Sequence, residues 1–255
     1  MSTRPLFVVA GIGNGSGTGA AAARLFAQKG YRVALIARNA DSLNRLAGEI
    51  NSAGGEAAGF PISDYSYGAT LSVFDNIAAH KWSSAGSSSL RVALWNAGSG
   101  VWKPFLDVTE KDIKTSLQTN VTAAFAFSRG AVLAFKQNDI DERGKRGTLL
   151  FTGATAAIRG NVTTSAFAAG KFGLRALSQS LAKEFGKENI HVTHAIIDGG
   201  ILTDRSSSYR DEAWINNPDL RLDANSIAKS YLYLVEQDRS AWTWELDLRP
   251  AHEKW

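Results

Sequence analysis

The sequence of 255 residues contains no cysteine. This absence excludes disulfide bonds, thiolate catalysis and cysteine-ligated metals, and it fits a reducing compartment, so we expect a cytoplasmic protein. No apolar run approaches the ~20 residues that span a bilayer, and the amino terminus leads directly into a strand-like segment. We therefore expect no membrane partner and no signal peptide.

Histidine is also scarce, and the charge is modest. The four histidines show no metal-ligand spacing, so we expect no metal site. The net charge of +4 is spread along the chain, and its one basic cluster, at 143–146, falls in a polar segment typical of a loop. Because no motif places side chains against bases, we expect no nucleic-acid partner.

Short β-rich runs alternate with helix-length segments along the whole chain. The strand-like runs lie at residues 6–10, 32–37, 91–95, 148–152, 191–197 and 242–248. This alternation predicts an α/β fold: a single domain over residues 1–255 with a Rossmann-like, doubly wound parallel sheet and helices on both faces. The polar segment 204–222 interrupts the alternation before the last helix, which suggests a lid over a substrate site.

A glycine-rich turn follows the first strand and opens an alanine-rich helix. Its candidate cofactor-binding residues are Gly11, Gly13, Gly17 and Gly19. Glycines let the backbone approach a pyrophosphate, while the helix start supplies free N–H groups and a positive dipole end. The position predicts a dinucleotide site, although glycine-rich turns also occur for packing alone.

The second strand-like run ends in Ala37, Arg38 and Asn39. An acidic residue at this point would bind the ribose 2′-hydroxyl of NAD, whereas a basic residue suits the additional phosphate of NADP. Arg38 can pair with a phosphate through two parallel N–H groups. We therefore expect NADP (NADPH) in preference to NAD, the alternative being that Arg38 is a solvated strand-end residue.

Further motifs follow in a fixed order after the glycine turn. They are Asn96, Ala97 and Gly98 after the strand at 91–95; Asn120 in a helical segment; Lys171, four residues after Phe167; and Gly199, Ile201 and Thr203 after the strand at 191–197. In this order and spacing the chain resembles the short-chain dehydrogenase/reductase family over nearly its whole length. The resemblance implies hydride transfer between a nicotinamide and a small-molecule substrate, and a homo-oligomer, either dimer or tetramer.

The resemblance also assigns catalytic roles, and two of them fall on residues without the required group. Asn120 and Lys171 match the family's catalytic Asn and Lys, and Lys171 is expected to hold the nicotinamide ribose. The family's catalytic Ser, however, corresponds to Ala154, and its catalytic Tyr corresponds to Phe167. The loss of general acid help typically costs ~10² to 10⁴ in rate. We therefore expect slow reduction of ordinary ketones unless another group supplies the proton.

Three other residues are candidates for contact with the substrate. Tyr209, in the segment 204–222, could bring a phenol from the opposite side, and Trp102 could flank the substrate. Asp198 stands where the family usually has Pro, and a carboxylate there would favour a cationic substrate, unless it only caps the turn before Gly199.

The sequence leaves three interpretations open. The first is an NADP-dependent oxidoreductase acting on a carbonyl, imine or other activated acceptor with a non-standard proton donor. The second is a nucleotide-binding, non-redox protein that serves as sensor, scaffold or cofactor-assisted catalyst. The third is that Ala154 and Phe167 are engineered replacements of a working Ser and Tyr.

Overall fold

Seven strands form one sheet in the computed structural model, which describes residues 3–254. The strands are β1 (Arg4–Ala10), β2 (Arg32–Ala37), β3 (Glu56–Pro61), β4 (Ser88–Trp95), β5 (Gly147–Thr152), β6 (Ile190–Ile197) and β7 (Glu245–Leu248). They pair in parallel in the order β3-β2-β1-β4-β5-β6-β7. The predicted parallel sheet is confirmed; residues 1, 2 and 255 of the predicted domain lie outside the described part.

Helices connect the strands. They are α1 (Thr18–Gln28), α2 (Ala40–Ser52), α3 (Tyr67–Ala79), α4 (Glu110–Leu117), α5 (Ala123–Lys136), α6 (Ser165–Phe185), α7 (Asp204–Ser207), α8 (Glu212–Asn216) and α9 (Ala224–Glu236), with a π-helical turn at Gln118–Thr122 and short 3₁₀ turns elsewhere. No helix within residues 3–254 is long and apolar enough to cross a membrane.

The sheet is covered on both faces, as a doubly wound fold requires. Phe7 and Val9 of β1 pack into one buried cluster with α1, α2 and α9. Val8 and Ala10, which alternate with them, pack into a second cluster with α3, α5 and α6. Alternate residues of a strand point to opposite faces of the sheet. Because helices cover both faces, both sets of residues are buried, and the sequence of the strand is a continuous apolar run.

The third strand was missed in the sequence, and the last was predicted too long. β3 consists mainly of small residues and includes Gly59, so it lacks the branched side chains typical of strands. An added Cβ at Gly59 would lie 2.8 Å from the Leu43 Cβ, so the glycine lets α2 pack closely on the sheet. β7 begins at Glu245 rather than at residue 242.

The strand order places a crevice where ligands bind in such folds. Because β4 lies on the opposite side of β1 from β2, the connections run in opposite directions on the two sides of β1. The carboxyl ends are level: Ala10 pairs with Trp95, and Trp95 pairs with Phe151. In open α/β sheets this switch point, outside the carboxyl ends, is the usual ligand site.

At the opposite, amino-terminal edge of the sheet, a buried ion pair joins β2 to β3 and to the loop that precedes β4. Arg32 is fully buried and donates to Glu56 at 3.1 Å and to backbone oxygens of the loop that precedes β4. Burial alone would raise the pKa of Glu56, but hydrogen bonds from Ser84, Arg32 and Ser83 lower it to about 2. The carboxylate therefore holds its charge well below neutral pH.

We expect Glu56→Gln to lower the free energy of unfolding by about 3–5 kcal/mol at neutral pH, because Arg32 would keep a buried charge without its carboxylate. The folded pKa lies below the unfolded one, so this stability is present above about pH 4.5 and is lost as pH falls towards 2. Urea unfolding at several pH values measures it. Glu49→Gln is the control, since its surface pair with Arg24 is worth about 1 kcal/mol or less. Equal losses in both variants would contradict the prediction.

Candidate active site

The glycine turn is packed against the end of β4 at two positions that only glycine fits. Gly11 has φ +95°, and an added Cβ there would lie 2.5 Å from the Ala97 backbone nitrogen. At Gly19 it would lie 2.3 Å from the Gly11 carbonyl oxygen. The Asn96 Nδ2 donates to that same oxygen at 2.6 Å. Gly11, Gly19, Asn96 and Ala97 therefore hold the turn against the end of β4, and Gly11, Gly19 and Asn96 also line a cleft beside it.

Two other glycines face open space. An added Cβ at Gly13, where φ is +59°, would meet no atom within 4 Å, and at Gly17 the nearest would be the Thr203 Cγ2 at 3.7 Å. Gly17 is the N-cap of α1, and no side chain caps that helix start. The turn, Asn96, Thr203 and Arg205 line a cleft of about 410 Å³. Uncapped N–H groups beside an open cleft fit a diphosphate.

The end of β2 presents a cation and no carboxylate. Arg38 is exposed, and its guanidinium carbon lies 5.4 Å from the centroid of the Tyr65 ring. Asn39 caps α2 by accepting a hydrogen bond from the Ser42 backbone nitrogen at 2.8 Å. Arg38 is thus the charged side chain exposed at this strand end.

Lys171 and Asn120 converge beneath Gly98. Lys171, on α6, is buried and donates to the Thr152 carbonyl oxygen at 2.9 Å; burial lowers its pKa to about 8. Asn120 lies in the π-helical turn between α4 and α5, where its Nδ2 donates to the Ser99 oxygen at 2.9 Å. An added Cβ at Gly98 would lie 3.3 Å from Asn120 Oδ1 and 3.4 Å from Lys171 Nζ. The structure brings the three predicted residues together.

Phe167 stands one helical turn before Lys171, as the spacing predicts. The Phe167 ring centroid lies 6.0 Å from Lys171 Nζ and 5.1 Å from the Trp102 ring. Ala154 follows β5 and precedes a 3₁₀ turn at Thr155–Ala157. Both residues line one cavity. Their correspondence to the family's Ser and Tyr stays a prediction.

That cavity has a volume of about 860 Å³ and is lined by most of the predicted site residues. Its lining includes Asn96, Gly98, Trp102, Ala154, Phe167, Lys171, Asp198, Gly199, Ile201, Thr203 and Tyr209. Its lining does not include Asn120, which is fully buried, or Arg38, which is exposed at the end of β2. Thr203 and Arg205 line both the cavity and the glycine cleft.

Asp198 is bound within the protein rather than offered to a ligand. It is 2% exposed, and its Oδ1 accepts a short hydrogen bond from the Thr155 hydroxyl. Guanidinium nitrogens of Arg159 and Arg249 lie 3.6 Å from its two oxygens. These two guanidinium groups, of which Arg249 also pairs with Asp247, already face its charge, so the geometry argues against the expected attraction of a cationic substrate. The side chain is also engaged with these partners rather than with the turn before Gly199.

The segment 204–222 is hydrogen-bonded to neighbouring parts of the chain at both ends. The Asp204 backbone nitrogen donates to Ser16 Oγ at 3.1 Å, and Asn14 Nδ2 donates to Asp204 Oδ2 at 3.0 Å, which joins the segment to the glycine turn. At its other end the Leu222 nitrogen donates to the Gly200 oxygen at 2.8 Å. Tyr209, between these anchors, is 67% exposed and lines the cavity. Its role as part of a lid stays a prediction.

Thr152 is a site residue that the sequence patterns did not single out. Its carbonyl oxygen holds Lys171, and its hydroxyl donates to Asn96 Oδ1 at 2.8 Å and pairs with the Tyr231 hydroxyl at 2.8 Å. It thereby joins the ends of β4 and β5. A polar residue directly after the apolar run 149–151 at the carboxyl end of a strand is a signal that could have identified it.

No cluster of three or more potential metal-ligating His, Cys, Asp or Glu side chains occurs among the described residues. Two of the histidines, His191 and His194, are instead buried beside β7, where burial lowers the pKa of each to about 4. His194 Nδ1 lies 3.1 Å from Glu245 Oε2, and His191 Nε2 lies 2.9 Å from the Thr243 oxygen. Both rings are therefore neutral at physiological pH and pack in the core.

Comparison with known proteins gives a consistent family. The sequence model described as "short chain dehydrogenase" matches residues 8–214. A 3-oxoacyl-[acyl-carrier-protein] reductase of Rattus norvegicus is 30% identical over 233 residues, which cover 90% of this chain and 91% of the relative. The crystal structure of a short-chain dehydrogenase from Rhodopseudomonas palustris is 30% identical, covers 98% of this chain and 100% of that one, and superposes with a TM-score of 0.77.

A metagenomic short-chain oxidoreductase, solved in complex with NADP, shares the fold at 23% identity, with a TM-score of 0.75 over 97% of this chain and 96% of that one. The match of the family model spans most of the chain, and the Rattus relative extends the similarity to nine-tenths of it. The protein belongs to the short-chain dehydrogenase/reductase family of oxidoreductases.

Proposed function

We propose that the protein is an NADP(H)-dependent oxidoreductase that transfers hydride between the nicotinamide and a small organic carbonyl, imine or other activated acceptor, and that its proton comes from a group other than the family's Tyr. The observation that carries this proposal is the pair Lys171 and Asn120, held beneath Gly98 by the Thr152 and Ser99 oxygens. A buried ammonium is costly to retain unless it has a partner to bind.

The residues for the nucleotide fit the same proposal. The α1 N-terminus and the open faces of Gly13 and Gly17 suit the diphosphate, and Lys171 would hold the nicotinamide ribose. When bound, the coenzyme supplies the hydride. The exposed guanidinium of Arg38 would pair with a 2′-phosphate, and the related metagenomic enzyme was solved with NADP.

The proposed proton donor is chosen by comparing the hydrogen bonds that the hydroxyl groups of the cavity make within the protein. The Thr155 hydroxyl donates its hydrogen to Asp198, and the Thr164 hydroxyl donates to the Asn161 oxygen at 2.9 Å. Tyr209 is the hydroxyl-bearing residue of the lining whose oxygen makes no hydrogen bond within residues 3–254. We assign Tyr209 as the substitute donor for a substrate oxygen. An iminium acceptor would need no donor during hydride transfer.

The test is NADPH binding by calorimetry together with NADPH oxidation across carbonyl, imine and quinone compounds. Micromolar binding and turnover of at least one class would support the proposal. Binding with no turnover of any class would instead favour a nucleotide-binding, non-redox protein, the function that Ala154 and Phe167 together point to. Absence of nucleotide binding would contradict both.

We expect Arg38→Asp to weaken NADPH binding about tenfold or more while NADH binding is retained, because one hydrogen-bonded charge pair is lost and only NADPH carries the additional phosphate. Calorimetric titration with each nucleotide measures this. Arg129→Gln, on the exposed face of α5, is the control and should change neither affinity. An equal loss for both nucleotides would show that Arg38 does not recognise the phosphate.

A further inference from the structure

The substrate cavity carries an excess of positive charge. Its lining contains five basic side chains, Arg159, Lys171, Arg205, Arg210 and Lys254. It contains two carboxylates, Asp198 and Glu253. Lys171 is assigned above to the coenzyme, and Arg205 also lines the glycine cleft. Arg159, Arg210 and Lys254 line this cavity and not the glycine cleft, so their charge faces the place where a substrate would lie.

Arg159 forms only a long ion pair with Asp198, without a hydrogen bond; Arg249, the other cation beside Asp198, also pairs with Asp247. The 3.6 Å separation between Arg159 and Asp198 exceeds hydrogen-bond length, and Asp198 shares its charge with Arg249 at the same distance. The side chain of Arg159 is 38% exposed, whereas that of Asp198 is 3% exposed. The N–H donors of Arg159 therefore remain able to bind a ligand from the cavity.

Arg210 is held in place by aromatic rings. Its guanidinium carbon lies 5.0 Å from the centroid of the Trp214 ring and 5.7 Å from that of Tyr209. Within residues 3–254 no carboxylate lies within ion-pair distance of it. Stacking limits the motion of the planar fork, and such a fork matches a carboxylate or phosphate through two N–H groups.

We propose that the substrate is a small organic anion, whose carboxylate or phosphate group Arg159 and Arg210 bind while its reactive carbon lies beside Phe167. This inference rests on the proposed function, since it assumes that the cavity is the substrate site. The proposed substrate is therefore negatively charged, whereas Asp198 alone led us to expect a positively charged one.

The experiment measures binding to the coenzyme-free protein by saturation-transfer NMR. The probes are acetoacetate and levulinate, their uncharged methyl esters, and dihydroxyacetone phosphate. We expect the anions to bind at least about tenfold more tightly than the esters, because each ester loses a charge-assisted pair, and we expect added salt to reduce the difference. Preference for the phosphate probe over the carboxylates would identify which anionic group the site takes.

Arg159→Gln and Arg210→Gln should each lower the affinity for the anionic probes about tenfold and leave the affinity for the esters unchanged. Arg159→Lys and Arg210→Lys retain the charge and should recover part of the affinity. Arg129→Gln, outside the cavity, is the matched control. Equal binding of acids and esters, no binding of any probe at millimolar concentration, or an equal loss in the control would overturn the inference. Anion binding without turnover of any compound would leave it standing and count against the proposed function.

Discussion

The double substitution Ala154→Ser with Phe167→Tyr is expected to raise the rate of ketone reduction by about 10²–10⁴-fold, the range that a positioned general acid supplies. Both positions line the cavity that we propose as the substrate site. The Phe167 ring lies 6.0 Å from Lys171 Nζ, and Ala154 lines the same cavity. We expect the Lys171 ammonium to favour the ionised form of the introduced phenol, and the introduced serine hydroxyl to lie in the proposed substrate cavity.

The rate is measured as NADPH oxidation with a set of simple ketones. Lys171→Met added to the double variant should abolish the gain, because the phenol then loses its neighbouring charge. Tyr209→Phe separates the two proton paths: it should strongly reduce turnover in the native protein and have little effect in the double variant. A double variant that binds NADPH as tightly as the native protein but gains no activity would show that more than two hydroxyls have been lost.

Much of the site could be predicted because its residues follow strand ends in a parallel sheet. Once the runs around Ala10, Trp95 and Thr152 are taken as parallel strands, their carboxyl ends must meet, and the residues that follow them gather at one edge. The i and i+4 spacing of Phe167 and Lys171 likewise fixes them on one helical face. These inferences need only local periodicity and one rule of topology.

The role of Asp198 could not be obtained in that way. Its partners Thr155, Arg159 and Arg249 are distant in sequence, and only the packed structure shows that two guanidinium groups surround it. The same applies to Arg210, whose orientation depends on Trp214. β3 was missed for a different reason: small residues such as Gly59 carry little strand propensity, and tertiary packing decides their conformation.

Gly19→Ala is expected to weaken both the fold and nucleotide binding. The added methyl would lie 2.3 Å from the Gly11 carbonyl oxygen and 2.9 Å from Asn96 Nδ2, so the contact between the glycine turn and β4 would have to open. Overpacking costs about 1–3 kcal/mol, and because the methyl would meet backbone rather than the end of a flexible side chain, we expect the upper end of that range. The free energy of unfolding, measured with urea, should fall by that amount, and nucleotide binding should be lost with it.

Gly17→Ala distinguishes this packing role from a role in binding. The backbone of Gly17, at φ −97°, accepts alanine, and the new methyl would lie 3.7 Å from its nearest neighbour, the Thr203 Cγ2. The free energy of unfolding should therefore change by less than about 1 kcal/mol. NADPH affinity should nevertheless fall about tenfold or more, because the methyl occupies space that the diphosphate needs. Gly48→Ala, in the exposed middle of α2 with no atom within 4 Å, should stabilise the fold by about 0.5–1 kcal/mol and leave binding unchanged. If Gly17→Ala bound NADPH as tightly as Gly48→Ala, the nucleotide would not approach the α1 N-terminus, and the cofactor assignment would have to be abandoned.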